Sequence, residues 1–89
     1  PQITSMRSTH IQGKEYDLEI SLQAGKNPIS RVIITIKGKT LYDGTPTGNS
    51  LTVRHTFSSS QAPIEVTVQD GGGYQTKKGF TGPSLKNTP

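Results

Sequence analysis

The chain's acids are Glu15, Asp17, Glu19, Asp43, Glu65 and Asp70. Paired-carboxylate hydrolysis needs two such groups facing each other across a cleft. Asp17 and Glu19 stand two positions apart, so on a strand they share one outward face, which is convex and wet. His10 and His55 are the only side chains that titrate near neutral pH in an ordinary setting. Serines are plentiful, yet no Gly-x-Ser-x-Gly elbow presents one to a base. Cysteine is absent, which removes thiolate nucleophiles, disulfides and zinc-finger spacing. The expectation is a protein without catalytic residues and without a cofactor. For calcium, Asp43 and Asp70 fall near predicted loops, but two acids supply too few oxygen ligands, and Asp-Gly is first of all a turn signal. No metal site is expected.

Binding chemistry fares better than catalysis. Sugar faces stack on exposed aromatic rings, and Tyr42 and Tyr74 flank turn-rich segments beside Lys26, Asn27, Asn49 and Asp70. The absence of Trp counts against a sugar platform, and two tyrosines packed at strand ends with wet hydroxyls is the plainer reading. Ten basic residues against six acids give a net charge of +4, which raises the question of nucleic acid. The basic residues are scattered, with only Lys77-Lys78 adjacent, and do not interleave with aromatics on one face. No nucleic-acid partner is expected.

The elements that must carry these residues follow from hydrophobic period. Tyr16, Leu18, Ile20 and Leu22 alternate with Asp17, Glu19 and Ser21, whereas the helical i+3 partner of Tyr16 is Glu19. The same period-two pattern marks Ile29 to Lys37, Ser50 to Phe57 and Ile64 to Val68, with short strands at Lys39 to Tyr42 and Tyr74 to Thr81. A first strand is placed around Ile3-Thr4-Ser5-Met6, with His10 in the loop that follows it. His55 falls on the inward parity between Val53 and Phe57, where a ring nitrogen bonded to a backbone carbonyl at the sheet margin is expected. The expected core is Leu18, Ile20, Leu22, Val32, Ile34, Ile36, Leu51, Val53, Val66 and Val68. Seven short strands with a turn signal between each pair predict an all-β antiparallel sandwich, in preference to a small closed barrel.

Ile, Leu, Val and Phe account for 19 of 89 residues. That is just above the roughly 20% below which highly charged chains stay disordered, and a charge of +4 is too small to tip the balance. One small domain is therefore expected, with little interior to shape into a pocket. The longest apolar run, Val32-Ile33-Ile34, is far too short to span a bilayer as a helix, and no membrane insertion is expected.

The stretch from Ile29 to Leu41 (ISRVIITIKGKTL) and the later Ile64 to Gly72 (IEVTVQDGG) resemble the bacterial Ig-like domain families. There a V-x-F-x-V-x-G strand leads into a short hairpin strand, and an I-x-V-x-A-x-D-x-x-G strand turns into the last one. The resemblance spans Ile3 to Thr81, although Val68 stands where those families have a small residue and no Trp marks the core. It implies a seven-stranded Ig-like or fibronectin-III-like sandwich. It also implies a non-catalytic spacer, adhesion or accessory module, beside a hydrolase for example, in a larger secreted, cell-surface or periplasmic bacterial protein.

In that arrangement the loops Ala24–Pro28, Asp43–Asn49 and Asp70–Gly73 share one pole. The first strand begins there and the last ends at the opposite pole, as in beads on a string. Residues 1–81 are expected to form the module and 82–89 a linker, both ends reading as pieces of a longer chain. The partners expected are neighbouring domains of the same chain, with the isolated domain monomeric. A protein or glycan ligand, if there is one, is expected at the pole displaying Lys26, Asn27, Tyr42, Asp43, Asn49, Asp70 and Tyr74.

Overall fold

A computed structural model describes residues 1–85 of the chain. Seven strands follow one another: β1 (Gln2–Gln12), β2 (Glu15–Gln23), β3 (Ile29–Ile36), β4 (Lys39–Gly44), β5 (Ser50–Thr56), β6 (Pro63–Asp70) and β7 (Gln75–Thr81). They form two sheets, of order β1-β2-β5 and β4-β3-β6-β7, with every pairing antiparallel. The two separate sheets exclude the closed barrel. The long axis of the molecule measures 46 Å and the shorter ones 22 and 18 Å.

Turn chemistry decides which sheet takes the fourth strand. Lys37 and Gly38 both adopt positive φ, 52° and 81°, between the paired residues Ile36 and Lys39. A two-residue turn with both φ positive matches the right-handed twist of a hairpin, and glycine adopts it without strain. So short a connection cannot cross to the other sheet, and β4 stays beside β3. In the constant-type immunoglobulin domain the fourth strand lies in the sheet of the first, second and fifth. Here that sheet is left with three strands.

The core lies between the sheets. Leu18 and Ile20 from the first sheet meet Val32, Ile34, Val66 and Val68 from the second, all with no exposed surface. Ile3, Tyr16, Phe57, Ala62 and Ile64 join them. Leu51 and Val53, expected in the core, are only half-buried, because β5 is an edge strand with no neighbour on its outer flank. The first strand is also longer than expected. It runs to Gln12, so His10 lies within it, opposite Tyr16, and not in a loop.

The Gly82–Leu85 segment, assigned to the linker on sequence, lies against the β5–β6 connection. Gly82 N–H donates to Ala62 O at 2.8 Å, Gln61 N–H to Pro83 O at 2.9 Å and Leu85 N–H to Ser60 Oγ at 2.8 Å. Leu85 packs on the core. The remainder of the expected linker, residues 86–89, lies outside the described residues.

Replacing Ile34 by Ala should cost about 2–5 kcal/mol, the usual range for a fully buried large-to-small change. Val53→Ala should cost clearly less, since Val53 is already half in water. Urea denaturation of both variants checks the contrast, and equal losses would remove the assignment of β5 as a half-covered edge.

Candidate functional site

The three loops expected at one pole do gather there. Gln2 pairs with Gln23, Ile29 with Asp70 and Val32 with Gly44, which brings the start of β1 and the ends of β2, β4 and β6 to the same end. Gly71 N–H donates to Pro28 O at 3.0 Å and Leu22 N–H to Asn49 O at 2.7 Å, tying the loops to one another and to the sheet.

Asp70 organises the pole. It continues the inward parity of Ile64, Val66 and Val68, and only 4% of it is exposed. Its Oδ1 accepts the N–H groups of Gly72 at 2.9 Å and Tyr74 at 3.0 Å. An aspartate that bonds the backbone two and four residues on stabilises a turn in place of a strand ladder. Gly72 also marks a close approach: a Cβ there would sit 2.6 Å from Asn27 Nδ2, the movable end of that side chain. The β2–β3 and β6–β7 loops thus touch where one of them has no side chain.

Around this cap lies a cavity of about 470 Å³ lined by Pro1, Gly25, Lys26, Asn27, Asp70, Tyr74, Gln75 and Thr76. Tyr74 stands beside it with 69% of its surface in water. Four of the seven residues proposed from sequence, Lys26, Asn27, Asp70 and Tyr74, therefore come together. Asn49 lines a separate depression of about 230 Å³ with Pro28 and Pro46. Tyr42 pairs with Ile34 on the inner face of β4, packs against the core and lies against Gly44, so its ring does not join Tyr74. Asp43 sits on the outer face of β4, gripped at both oxygens by Arg31 at 2.8 and 2.6 Å. Sequence reasoning missed Pro1, Gly25, Gln75 and Thr76. The available signal was that β1 begins at this pole, where the Thr76 hydroxyl donates to the Pro1 carbonyl.

Electrostatically, four of the six acids are held in ion pairs. Arg54 grips both oxygens of Asp17 at 2.9 and 3.2 Å, Arg7 meets Glu19 at 2.7 Å and Lys77 meets Glu65 at 3.6 Å. The hydrogen bonds from Arg54 and Arg31 hold the carboxyls of Asp17 and Asp43 below their ordinary value. No trio of metal-ligating side chains occurs among the described residues. Asp43 and Asp70, weighed for calcium, belong to strands rather than loops; Asp43 gives both oxygens to Arg31, and Asp70 gives Oδ1 to two backbone N–H groups. What the pole can do chemically is present one flat ring beside amide and ammonium donors.

The two histidines lie at the other pole, in an aromatic row. His10 meets Tyr16 at a tilt with ring centres 5.0 Å apart, Tyr16 meets Phe57 edge-on at 5.9 Å, and His55 meets Phe57 edge-on at 4.7 Å. The carbonyl bond expected of His55 belongs instead to His10, whose Nε2 lies 2.8 Å from Gly13 O. A two-residue turn brings the ring of His10 back over its own hairpin, whereas His55 faces the gap between the sheets.

Two sheets of order β1-β2-β5 and β4-β3-β6-β7 define an Ig-like β-sandwich whose fourth strand stays with the third. Among solved structures, the fibronectin(III)-like modules of CbhA from Clostridium thermocellum share this fold with a TM-score of 0.65. The match covers 96% of this chain and 94% of that one at 12% identity, so the likeness is one of fold. No protein-family model matches the sequence, and no curated protein is significantly similar to it.

Removing the Asp70 carboxylate as Asp70→Ala should cost about 1–3 kcal/mol, because two part-buried hydrogen bonds to a charged acceptor are lost. Thermal melts give the loss, and amide exchange at Gly72 and Tyr74 localises it. Acid has its own signature. Asp17 and Asp43 have folded values below the ordinary 3.8, so their contribution is present above that value and disappears as pH falls through the lowered one. Melting temperature should therefore drop below about pH 4, and drop less in the Asp17→Asn, Asp43→Asn double variant. An identical acid profile in the two proteins would refute the assignment.

Proposed function

We propose that the chain is a non-catalytic fibronectin-III-like module that spaces and positions neighbouring domains in a larger secreted or cell-surface bacterial protein. The observation that carries the reading is the placing of the two chain ends. The chain enters at the pole where Thr76 holds Pro1 and leaves at the opposite pole, where the Gly82–Leu85 segment is bonded to the β5–β6 connection. Entry and exit are both tied to the domain, and they are separated along its 46 Å axis. A spacer needs a fixed distance and a fixed exit direction, and flexible ends would give neither.

Placed between a donor and an acceptor fluorescent protein, the chain should give one narrow distribution of energy transfer. The Ser60→Ala, Leu85→Ala variant should broaden that distribution without unfolding the domain. A broad distribution for the unaltered chain would remove the support for a spacer. A second reading, a carbohydrate-binding module, is favoured by the exposed Tyr74 ring beside its cavity. On a glycan array and in depletion from insoluble polysaccharide, the spacer stays unbound. Depletion that Tyr74→Ala abolishes would select the second reading.

A further inference from the structure

An open sheet edge is a row of unpaired N–H and C=O groups, and proteins usually guard it with bulges, charges, Pro or Lys. Three of the four edges here carry such devices. β1 has register shifts at Ile3/Ser5 and His10/Gln12. β4 is short, is paired across a shift at Ile34/Thr35, and carries Lys39 and Asp43. β7 carries Lys77 outward and Lys78 on the inward parity, where its ammonium rests 5.5 Å above Phe80. β5 has none of these. It runs from Ser50 to Thr56 in unbroken register with β2, without Pro, Gly or Lys, and its single charge, Arg54, is held by Asp17.

The bonding parity of that edge can be read from the residues that bracket it. Leu22 N–H donates to Asn49 O and Phe57 N–H to Lys14 O, so residues 49 and 57 aim their polar groups at β2. Alternation along an antiparallel ladder gives Leu51, Val53 and His55 the same direction. The N–H and C=O groups of Ser50, Thr52, Arg54 and Thr56 therefore point off the edge. The space beyond is also open on the inner side. The four-stranded sheet overhangs the three-stranded one, and Leu41, Leu51 and Val53 are left half-covered. A groove of about 300 Å³ runs there between Leu41, Thr40, His55 and Ser58.

We propose that β5 is a strand-addition site and that its occupant is β5 of a second copy of this chain, paired antiparallel about a twofold axis at Val53. In this register Thr52 faces Arg54 and Ser50 faces Thr56, and each such pair exchanges both hydrogen bonds. Every outward N–H and C=O of both strands is then satisfied. On the inner face Val53 meets Val53 and Leu51 meets His55, closing apolar surface over the seam. On the outer face each Arg54 stands opposite Thr52, whose neighbour on β2 is Glu19, so opposite charges approach across the joint. The competing twofold registers are poorer. Centring on Thr52 leaves the groups of Thr56 unpaired, and centring on Arg54 sets like charges face to face. Two three-stranded sheets become one continuous sheet, in place of the monomer expected from sequence.

Sedimentation from roughly micromolar to about millimolar concentration, the range in which weak pairing shows, should carry the mass from 9.6 kDa toward twice that value. Over the same range, exchange should slow at the amides of Ser50, Thr52, Arg54 and Thr56 while the β7 edge is unaffected. Thr52→Pro deletes one outward N–H and leaves the β2 ladder intact, so the variant should stay folded by circular dichroism and stay monomeric. Should that variant not fold, Val53→Cys places a sole thiol in the chain, and mild oxidation should link it across the axis into a covalent dimer. A constant mass with concentration-independent exchange at the four amides would overturn the proposal. So would a dimer unaffected by Thr52→Pro, or protection of these amides that arises only with a different protein as the added strand.

Discussion

The register between β3 and β6 fixes the rest of the molecule. Val32 lies opposite Val68 and Ile34 opposite Val66, and these four close against Leu18 and Ile20 of the other sheet. Side chains alternate with period two, so a slip of one residue would turn Arg31, Ile33 and Thr35 inward and put Val32, Ile34 and Ile36 in water. Each fully buried aliphatic side chain contributes about 1.5–3 kcal/mol, while ordering costs about 1–2 kcal/mol per residue of backbone. A core this small has little surplus, so the turns and ties at its margins matter in proportion. The Lys37-Gly38 turn sets the register of β4, and the Asp70 carboxylate closes the β6–β7 hairpin.

Most of this was legible because most of it is local. Alternation located β2, β3, β5 and β6, and turn residues located the breaks between them, so the sandwich and its three-loop pole could be drawn from the sequence. The misreadings share one cause, which is that edge strands carry weak patterns. β1 offers Met6, Ser8 and His10 on its inner parity, too polar a set to read as a strand beyond Met6. Leu51 and Val53 have core-like chemistry, but their burial depends on whether another strand lies outside β5. That is a property of topology rather than of the residues themselves. The pole divides in the same way. Lys26, Asn27, Asp70 and Tyr74 meet because their loops meet. Tyr42 sits with Ile34 because of a register shift in β4 that no local signal announced.

The charges follow the same geometry. Each outward face is laced by cross-strand pairs, Arg7 with Glu19, Arg54 with Asp17, Arg31 with Asp43 and Lys77 with Glu65, which cancel within the sheets. Such exposed pairs stabilise little. Their larger effect is on where the excess charge lies. Among the described residues, Lys14 and Lys37 sit in the hairpin turns at the pole where the chain leaves and Lys39 opens β4 beside them, whereas Lys26 stands at the entry pole. These three lysines thus gather positive charge at one end, in and beside turns that need polar residues in any case.

The two ends of the chain belong to different sheets, and this bears on the proposed role. β1 enters at one pole as an edge of the first sheet, and β7 leaves at the other as an edge of the second. Tension along the long axis would draw β1 and β7 apart along their own strand directions. Both ladders, β1 with β2 and β7 with β6, then bear the load in shear, with their hydrogen bonds roughly perpendicular to the pull. A ladder in shear shares force over many bonds at once, whereas one peeled from an end breaks them singly. The Pro1 tie to Thr76 and the bonds that hold Gly82–Leu85 add resistance at the two points where peeling would begin. A spacer that must keep its length under load is therefore better served by this topology than by a sandwich whose ends emerge at the same pole, where tension would unzip the hairpins one bond at a time.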